Sequence, residues 1–501
     1  MRIGGLASGM DIDQIVNDLM KAERMPLNKL TQQKQLFEWQ RDDYREMNKL
    51  LKELDDLTFD GVFKQGTFLK KSVSVSDESK LSAKAVNVPS NLSLQLEVGN
   101  LASAASWKTT NPIGYTAGAR ELSFSVLDPG GEKARDVKIS ISDTDTIDDV
   151  IRKINSSTLG VSALKESIND GSGNYKESIV FSNLKTGSGG YIKVKDDTTK
   201  NVMQDLGFVW TSSTPDADGF YKLKTDNVGV DAIVMVNGYE MKKQSNDFAI
   251  NGINITLKNE TTSPVTISTS TDVDSILDTV VKFVNKYNEV IEKVNGKITE
   301  ERFRSYKPLS NEEKEAMTEK QVEMWEEKAK SGIIRGDSIL SSGLSQMRMD
   351  FYTKVDGTLK GFSQLTEIGI KTSSNYMERG KLIIDETKLR EKIAENPDAI
   401  YKLFNSDGET YGSKGIARRL RDSIDATIDK IEEKAGNKLK TNNQFVIGKN
   451  LINIDRSINA FEDRLTQIED RYWRQFTAME KAIQKANSQS MYMMQQFSGG
   501  Q

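Results

Sequence analysis

The longest regular pattern in the chain lies near its C-terminus. Between Lys449 and Asn487, apolar residues recur at Leu451, Ile454, Ile458, Phe461, Leu465, Ile468 and Tyr472, at spacings alternating between three and four. A second step of four leads to Phe476, after which Met479, Ile483 and Ala486 resume the alternation. This is a heptad seam with one stutter, which locally unwinds a left-handed supercoil. Asp455, Arg456, Glu462, Asp463, Arg464, Glu469, Asp470 and Arg471 fill the remaining positions. The helix therefore has one narrow stripe to bury, the signature of a coiled-coil arm rather than a globular core.

A matching pattern stands at the other end. Ile12, Ile15, Val16, Leu19 and Met20 fall on one helical face, with Asp11 as a cap and Gln14 three residues on. Pro26 is expected to stop or kink this helix. Leu30, Phe37, Tyr44 and Leu51 then follow at strict sevens, with polar Gln33 and Gln40 between them, an arrangement that favours a specified register. Heptads at both termini predict that the chain leaves and returns along one antiparallel stalk.

Between these ends the period changes twice. From Lys71, VSVSDESKLSAKAV and NLSLQLEVGNLA alternate apolar and polar residues and read as half-buried strands. LSFSVL, DPGGE and VKISIS give a hairpin, followed by a short helix over TIDDVIRKINSS with Thr146 as its cap and Asp149 in its first turn. SIVFSN, YIKVK, AIVMVNG, FAINGINITLK and PVTIST supply further strands. At Asp272 the helical period returns, with Ile276, Val280, Phe283, Val284, Tyr287 and Ile291 on one stripe.

The predicted fold class is multidomain α+β: an antiparallel coiled-coil stalk, a helical-bundle body, and β-rich head domains inserted in the middle. The expected boundaries are 1–42 with 450–501 for the leg and 43–70 with 273–449 for the body. Residues 71–111 with 229–272 form a β-rich head domain, and 112–228 a second β-rich unit spliced into it.

Composition narrows the function. The 501 residues contain no cysteine and no histidine, which removes disulfides, thiolate nucleophiles, Ser-His-Asp triads and Cys/His zinc sites. A net charge of −4 of mixed sign carries no nucleic-acid footprint, and no apolar run is long enough to span a membrane. GGEK, GSGG and GSKG lack the strand and helix context of a phosphate loop. Asp143, Asp145, Asp148 and Asp149 crowd together, yet without the glycine and terminal glutamate of a calcium loop. No cofactor, metal or catalytic residue is expected.

GLASGMDIDQIVNDLMKAERMPLNKL near the start and RYWRQFTAMEKAIQKANSQSMYMMQQF near the end resemble the two terminal signatures of the flagellar filament cap family, hook-associated protein 2. IRGDSIL, LTEIGI, KLIID and NPDAIYKLF resemble that family's helical body, and residues 121–195 the small β repeat of flagellins and hook-associated proteins. The resemblance implies a ring-shaped homo-oligomer, commonly five subunits, at the distal tip of the bacterial flagellum. It further implies type III export without a cleaved signal, and flagellin, a hook–filament junction protein and a flagellar export chaperone as partners. Partner contacts are then expected from Ile12, Ile15, Val16 and Leu19 on the first helix, and Leu465, Ile468, Tyr472, Phe476, Met479 and Ile483 on the last. The uncharged tail from Asn487 adds Met494 and Phe497, adaptable apolar residues suited to irregular surfaces. Two other functions compete with this one: an adhesin binding host or mucin glycans through the β head, and a carboxylate-based cell-wall hydrolase. Both ends meeting in one stalk favours the cap.

Overall fold

The structure is a computed structural model and describes residues 9–88, 90–169, 172–375 and 378–498. Chain order opens with α1 (Ile12–Asp60) and the one-turn α2 (Gln65–Phe68). Four strands follow: β1 (Lys71–Val75), β2 (Leu81–Ala85), β3 (Ser93–Asn100) and β4 (Ala104–Lys108). Next come β5 (Arg120–Leu127), β6 (Arg135–Ile141), α3 (Ile147–Ser156), β7 (Val161–Asn169), β8 (Tyr175–Thr186), β9 (Tyr191–Val194), α4 (Asp197–Asp205) and β10 (Tyr221–Lys222). The β-rich part ends with β11 (Ala232–Val236), β12 (Tyr239–Lys243), β13 (Asp247–Ile250), β14 (Ile253–Leu257) and β15 (Val265–Thr271). Then follow α5 (Val273–Thr299), α6 (Asn311–Glu315), α7 (Glu319–Lys330), α8 (Ser338–Tyr352), β16 (Ile370–Thr372) and β17 (Leu382–Ile384). The chain closes with α9 (Glu386–Glu395), α10 (Pro397–Asn405), α11 (Ile416–Ala435) and α12 (Val446–Ser498). Two compact units result, one from the residues up to Phe68 together with those from Val273 onward, the other from Leu69–Asp272.

The first unit is organised by α1. Pro26 does not end this helix, which runs unbroken from Ile12 to Asp60. An interior proline costs about 3 kcal/mol. Pro26 sits on the exposed side, where water can reach the freed Ala22 carbonyl, while Met20 and Leu27 on either side pack into the same seam. Packing outweighs propensity. The second half of α1 buries Tyr44, Met47, Leu51 and Leu54 in a core completed by α5, α8, α10 and α11. All six residues of the stripe read on α5 are buried there. Ion pairs fix the register of α1 against its neighbours: Asp55 receives two bonds from Arg421 at 2.7 and 3.1 Å, and Glu53 one from Lys286 at 2.7 Å. Gln33, expected in the seam, is exposed, whereas Gln40 is half-buried.

The node with the most at stake is Asp337, the cap of α8. Its Oδ1 accepts the Leu340 N–H at 3.0 Å, and its Oδ2 accepts both the Tyr44 hydroxyl and the Lys434 ammonium, the latter at 3.0 Å. Burial works to raise the Asp337 pKa, but these three donors outweigh it and hold the carboxyl below its ordinary range. Tyr44 is pushed up, first by burial and then by the carboxylate it serves.

The second unit holds two separate cores. In one, the antiparallel sheet β1-β15-β3-β11-β12 and the smaller sheet β13-β14-β2 enclose Leu96, Val98, Val234, Ile255 and Ile267. In the other, the sheets β10-β9-β5-β6 and β4-β8-β7 pack with α3 and α4 around Phe124, Val150, Phe181 and Phe208. Thr146 and Asp149 form a full capping box at the start of α3. The neighbouring carboxylates are used locally too: Asp145 takes the Lys153 ammonium and the Ser142 hydroxyl and N–H, which hold it down to about 2.

The boundary of the inserted unit differs from the expected residue 112. β4 pairs with β8, and Trp107 on β4 is fully buried in the second core. The two connections into this unit meet instead at Ser103 and Val230, which exchange backbone bonds of 3.0 and 3.2 Å. Removing residues 104–229 with a short Gly/Ser bridge should therefore leave a cooperatively unfolding protein. Removing 115–225 strands Trp107 and Ala105 without their core, a loss of about 3–5 kcal/mol for the tryptophan alone. Thermal unfolding followed by circular dichroism separates the two. A 115–225 deletion as stable as the 104–229 deletion would contradict this boundary.

Candidate functional site

The residues singled out at the two termini do meet. α12 runs antiparallel to the first half of α1, and the pair shares an apolar cluster of Ile12, Val16, Met20, Leu465 and Ile468, all buried. Leu27, Phe461, Tyr472, Trp473 and Phe476 pack against it, half-buried. Asp11 caps α1 by accepting the Gln14 N–H at 3.0 Å. Two polar contacts pin the register, Tyr472 Oη donating to Glu23 at 3.0 Å and Lys34 pairing with Asp455 at 2.7 Å. Neither was legible in the heptads, which say which faces meet and not which charges oppose.

Other expected residues fall outside the shared cluster. Leu19 is 37 % exposed and Ile15 half-buried. At 100° per residue, Ile12, Val16, Met20 and Leu27 centre on one line of α1, with Ile15 and Leu19 on its flank. One partner helix covers the line and leaves the flank. On α12, Met479 and Ile483 stay in line with Leu465 yet remain only half-buried. Beyond them every residue from Gln484 to Gln496 is exposed, with Met494 71 % exposed and Met491, Tyr492 and Met493 similarly bare. Phe497 lies in the last turn of α12, its side chain outside the described residues.

The arrangement offers contact and no chemistry. Among the described residues no group of acidic side chains is placed to hold a metal ion, and no helix is long and apolar enough to cross a membrane. The leg presents apolar strips a few side chains wide, flanked by charge, on a helix of 53 residues that spans about 80 Å.

Three family models match the chain: the flagellar hook-associated protein 2 N-terminus over residues 8–105, its C-terminus over 229–488, and the flagellin hook IN motif over 121–174. Flagellar hook-associated protein 2 of Halalkalibacterium halodurans is 32% identical, covering 99% of this chain and all of the relative. The proteins of the same name from Thermotoga maritima and Salmonella typhimurium are 24% and 23% identical. The alignments cover 99% and 98% of this chain, and 96% and 97% of those relatives. Among solved structures, the D1-D2-D3 domains of the Escherichia coli flagellar cap protein FliD superpose with a TM-score of 0.54 at 19% identity. They cover 76% of this chain and 94% of that one, a likeness of fold. The paired terminal motifs, the leg they build and these matches lead to one conclusion: the chain belongs to the flagellar hook-associated protein 2 family, the structural, non-enzymatic caps of the bacterial flagellar filament.

Proposed function

We propose that this chain closes the distal end of the growing filament as a ring-shaped homo-oligomer, commonly of five subunits, and promotes the ordered insertion of exported flagellin while preventing its loss. The subunit reaches that end unfolded through the flagellar type III apparatus, escorted by an export chaperone, and first seats on the hook–filament junction protein. The observation that carries the reading is the bare end of α12. Its apolar line continues through Met479 and Ile483, and residues 484–496 are exposed, so the chain presents more apolar helix than it covers. Filament subunits are the occupants proposed for that surface, with Ile15, Leu19 and Met494 as further contacts.

Narrow strips suit the task. A helix that must release and re-form contacts as subunits are added needs modest contacts, and exposed methionines adapt to more than one surface. The β head offers no aromatic platform in Trp107 or Trp210 for binding glycans. Trp107 is fully buried, and Trp210 packs on the second core beside Tyr221 at 5.9 Å. Cells lacking the chain should carry hooks with absent or short filaments and release flagellin into the medium, measured by immunoblot of culture supernatant. Full-length filaments with no released flagellin would refute the proposal.

A further inference from the structure

The segment between α5 and α8 carries opposite charge on two of its faces. One face closes a groove of about 290 Å³ against α1, lined by Lys29, Leu36, Arg302, Arg304, Tyr306 and Lys307 and by no carboxylate. Lys29, Arg304 and Lys307 are exposed and have no ion-pair partner among the described residues. Arg302 shapes the groove, donating to the Ala329 and Ser331 carbonyls at 2.6 and 2.9 Å.

The other face belongs to α7. That helix is anchored by Trp325, whose Nε1 donates to the Lys307 carbonyl at 2.8 Å and whose ring lies 4.6 Å from that of Tyr306. Ala329 is buried on the same side. Glu319, Glu323 and Glu327 follow at steps of four on the opposite side, exposed and without ion-pair partners among the described residues. Lys320 and Lys330 border this row, Lys330 with its ammonium 5.0 Å from the Trp39 ring, and the three carboxylates at steps of four repel one another. Their placement makes sense if something cationic covers them.

The groove is lined by no residue of α7, and Trp325 holds that helix against Tyr306 with its glutamate row turned to the opposite side, so the groove is not filled by its own α7. We infer that the acidic face of α7 in one copy seats against the Lys29–Arg304–Lys307 groove of the next copy. Such a contact joins two different patches, so it is heterologous and propagates head to tail, the geometry from which closed rings are made. The inference rests on the ring reading above and names the surface that closes it. Coulomb attraction between exposed charges of this kind steers association and sets register more than it supplies affinity.

The test is a charge exchange on the full chain, with assembly followed by analytical ultracentrifugation. Lys29→Glu, Arg304→Glu and Lys307→Glu together, or Glu319→Lys, Glu323→Lys and Glu327→Lys together, should each raise the half-assembly concentration at least on the order of tenfold. All six substitutions in one chain should restore it, and mixing the two triple variants should restore association between them. Raising salt to about 1 M, where screening acts beyond about 3 Å, should weaken the wild type and abolish the difference between variants. Circular dichroism confirms that each variant is folded. Unchanged assembly of either folded triple variant, or failure of both the sixfold exchange and the mixture to restore it, would overturn the contact. A wild type that stays monomeric at every concentration would instead overturn the ring reading on which the contact depends.

Discussion

Ile483→Asp is expected to give a cap subunit that folds, is exported and assembles, yet leaves cells with short or absent filaments and flagellin in the medium. Ile483 continues the line of Leu465, Phe476 and Met479, and in the isolated chain it is only half-buried. Completing its burial against a filament helix contributes up to about 1.5–3 kcal/mol. An unpaired carboxylate in the same place costs at least that much again. The body does not feel the change, because Ile483 lies about 48 Å along α12 from Leu451, the last α12 residue in the body core. Gln475→Asp is the control: it introduces the same charge about two turns away at an exposed position and should be tolerated. Filament length by electron microscopy and supernatant flagellin by immunoblot give the answer. An equal defect in both variants would mean that added charge on the leg matters and the stripe does not.

Asp337→Ala should have the largest effect on stability. It removes the cap of α8 and leaves the Tyr44 hydroxyl, fully buried, and the half-buried Lys434 ammonium without their shared acceptor. Breaking one side of such a buried pair costs about 3–5 kcal/mol. Asp337→Asn keeps an acceptor for the Leu340 N–H and should lose less. Because the folded carboxyl is held below its unfolded value, its contribution is complete above about pH 4 and disappears as pH falls through the folded pKa. The alanine variant should therefore differ most from wild type near neutrality and converge with it in acid. Urea unfolding at a series of pH values measures this, and a gap that stays constant into strong acid would contradict it.

What could be read from the residues, and what could not, follows from the range of the forces involved. Heptads at both ends reported faces correctly, since a stripe of Ile12, Val16 and Met20 can be buried in only one way by a helix that carries Leu465 and Ile468. Caps are equally local: Asp11 and Thr146 act within one turn. Pro26 does not stop α1 as its local penalty suggests, because the compensation, at Met20 and Leu27, depends on a helix more than 400 residues away in sequence. The boundary expected at residue 112 leaves Trp107 outside its core, because a segment as short as AASWK carries no mark of its partner, and pairing with β8 decides the matter. β7 and α4 went unread. Only Val161 and Ala163 of β7 are buried, and α4 is largely polar. Ile15 and Leu19 share the apolar face of α1 but lie on the flank that α12 leaves open, a distinction that appears only once the line of approach of α12 is fixed. The basic groove beside Lys29 is not legible in the sequence, because it joins residues of α1 to the loop after α5, far apart along the chain.

The bare end of α12 is the part proposed to hold the cap on the filament. The most direct measurement is co-sedimentation of purified wild-type protein and Ile483→Asp with preformed flagellin filaments, with the filament ends imaged by electron microscopy. Wild type is expected to pellet with the filaments in proportion to the number of ends, with a plate at each occupied end. Ile483→Asp should form the same assembly in solution and remain in the supernatant. Filament ends occupied equally by both proteins would contradict it.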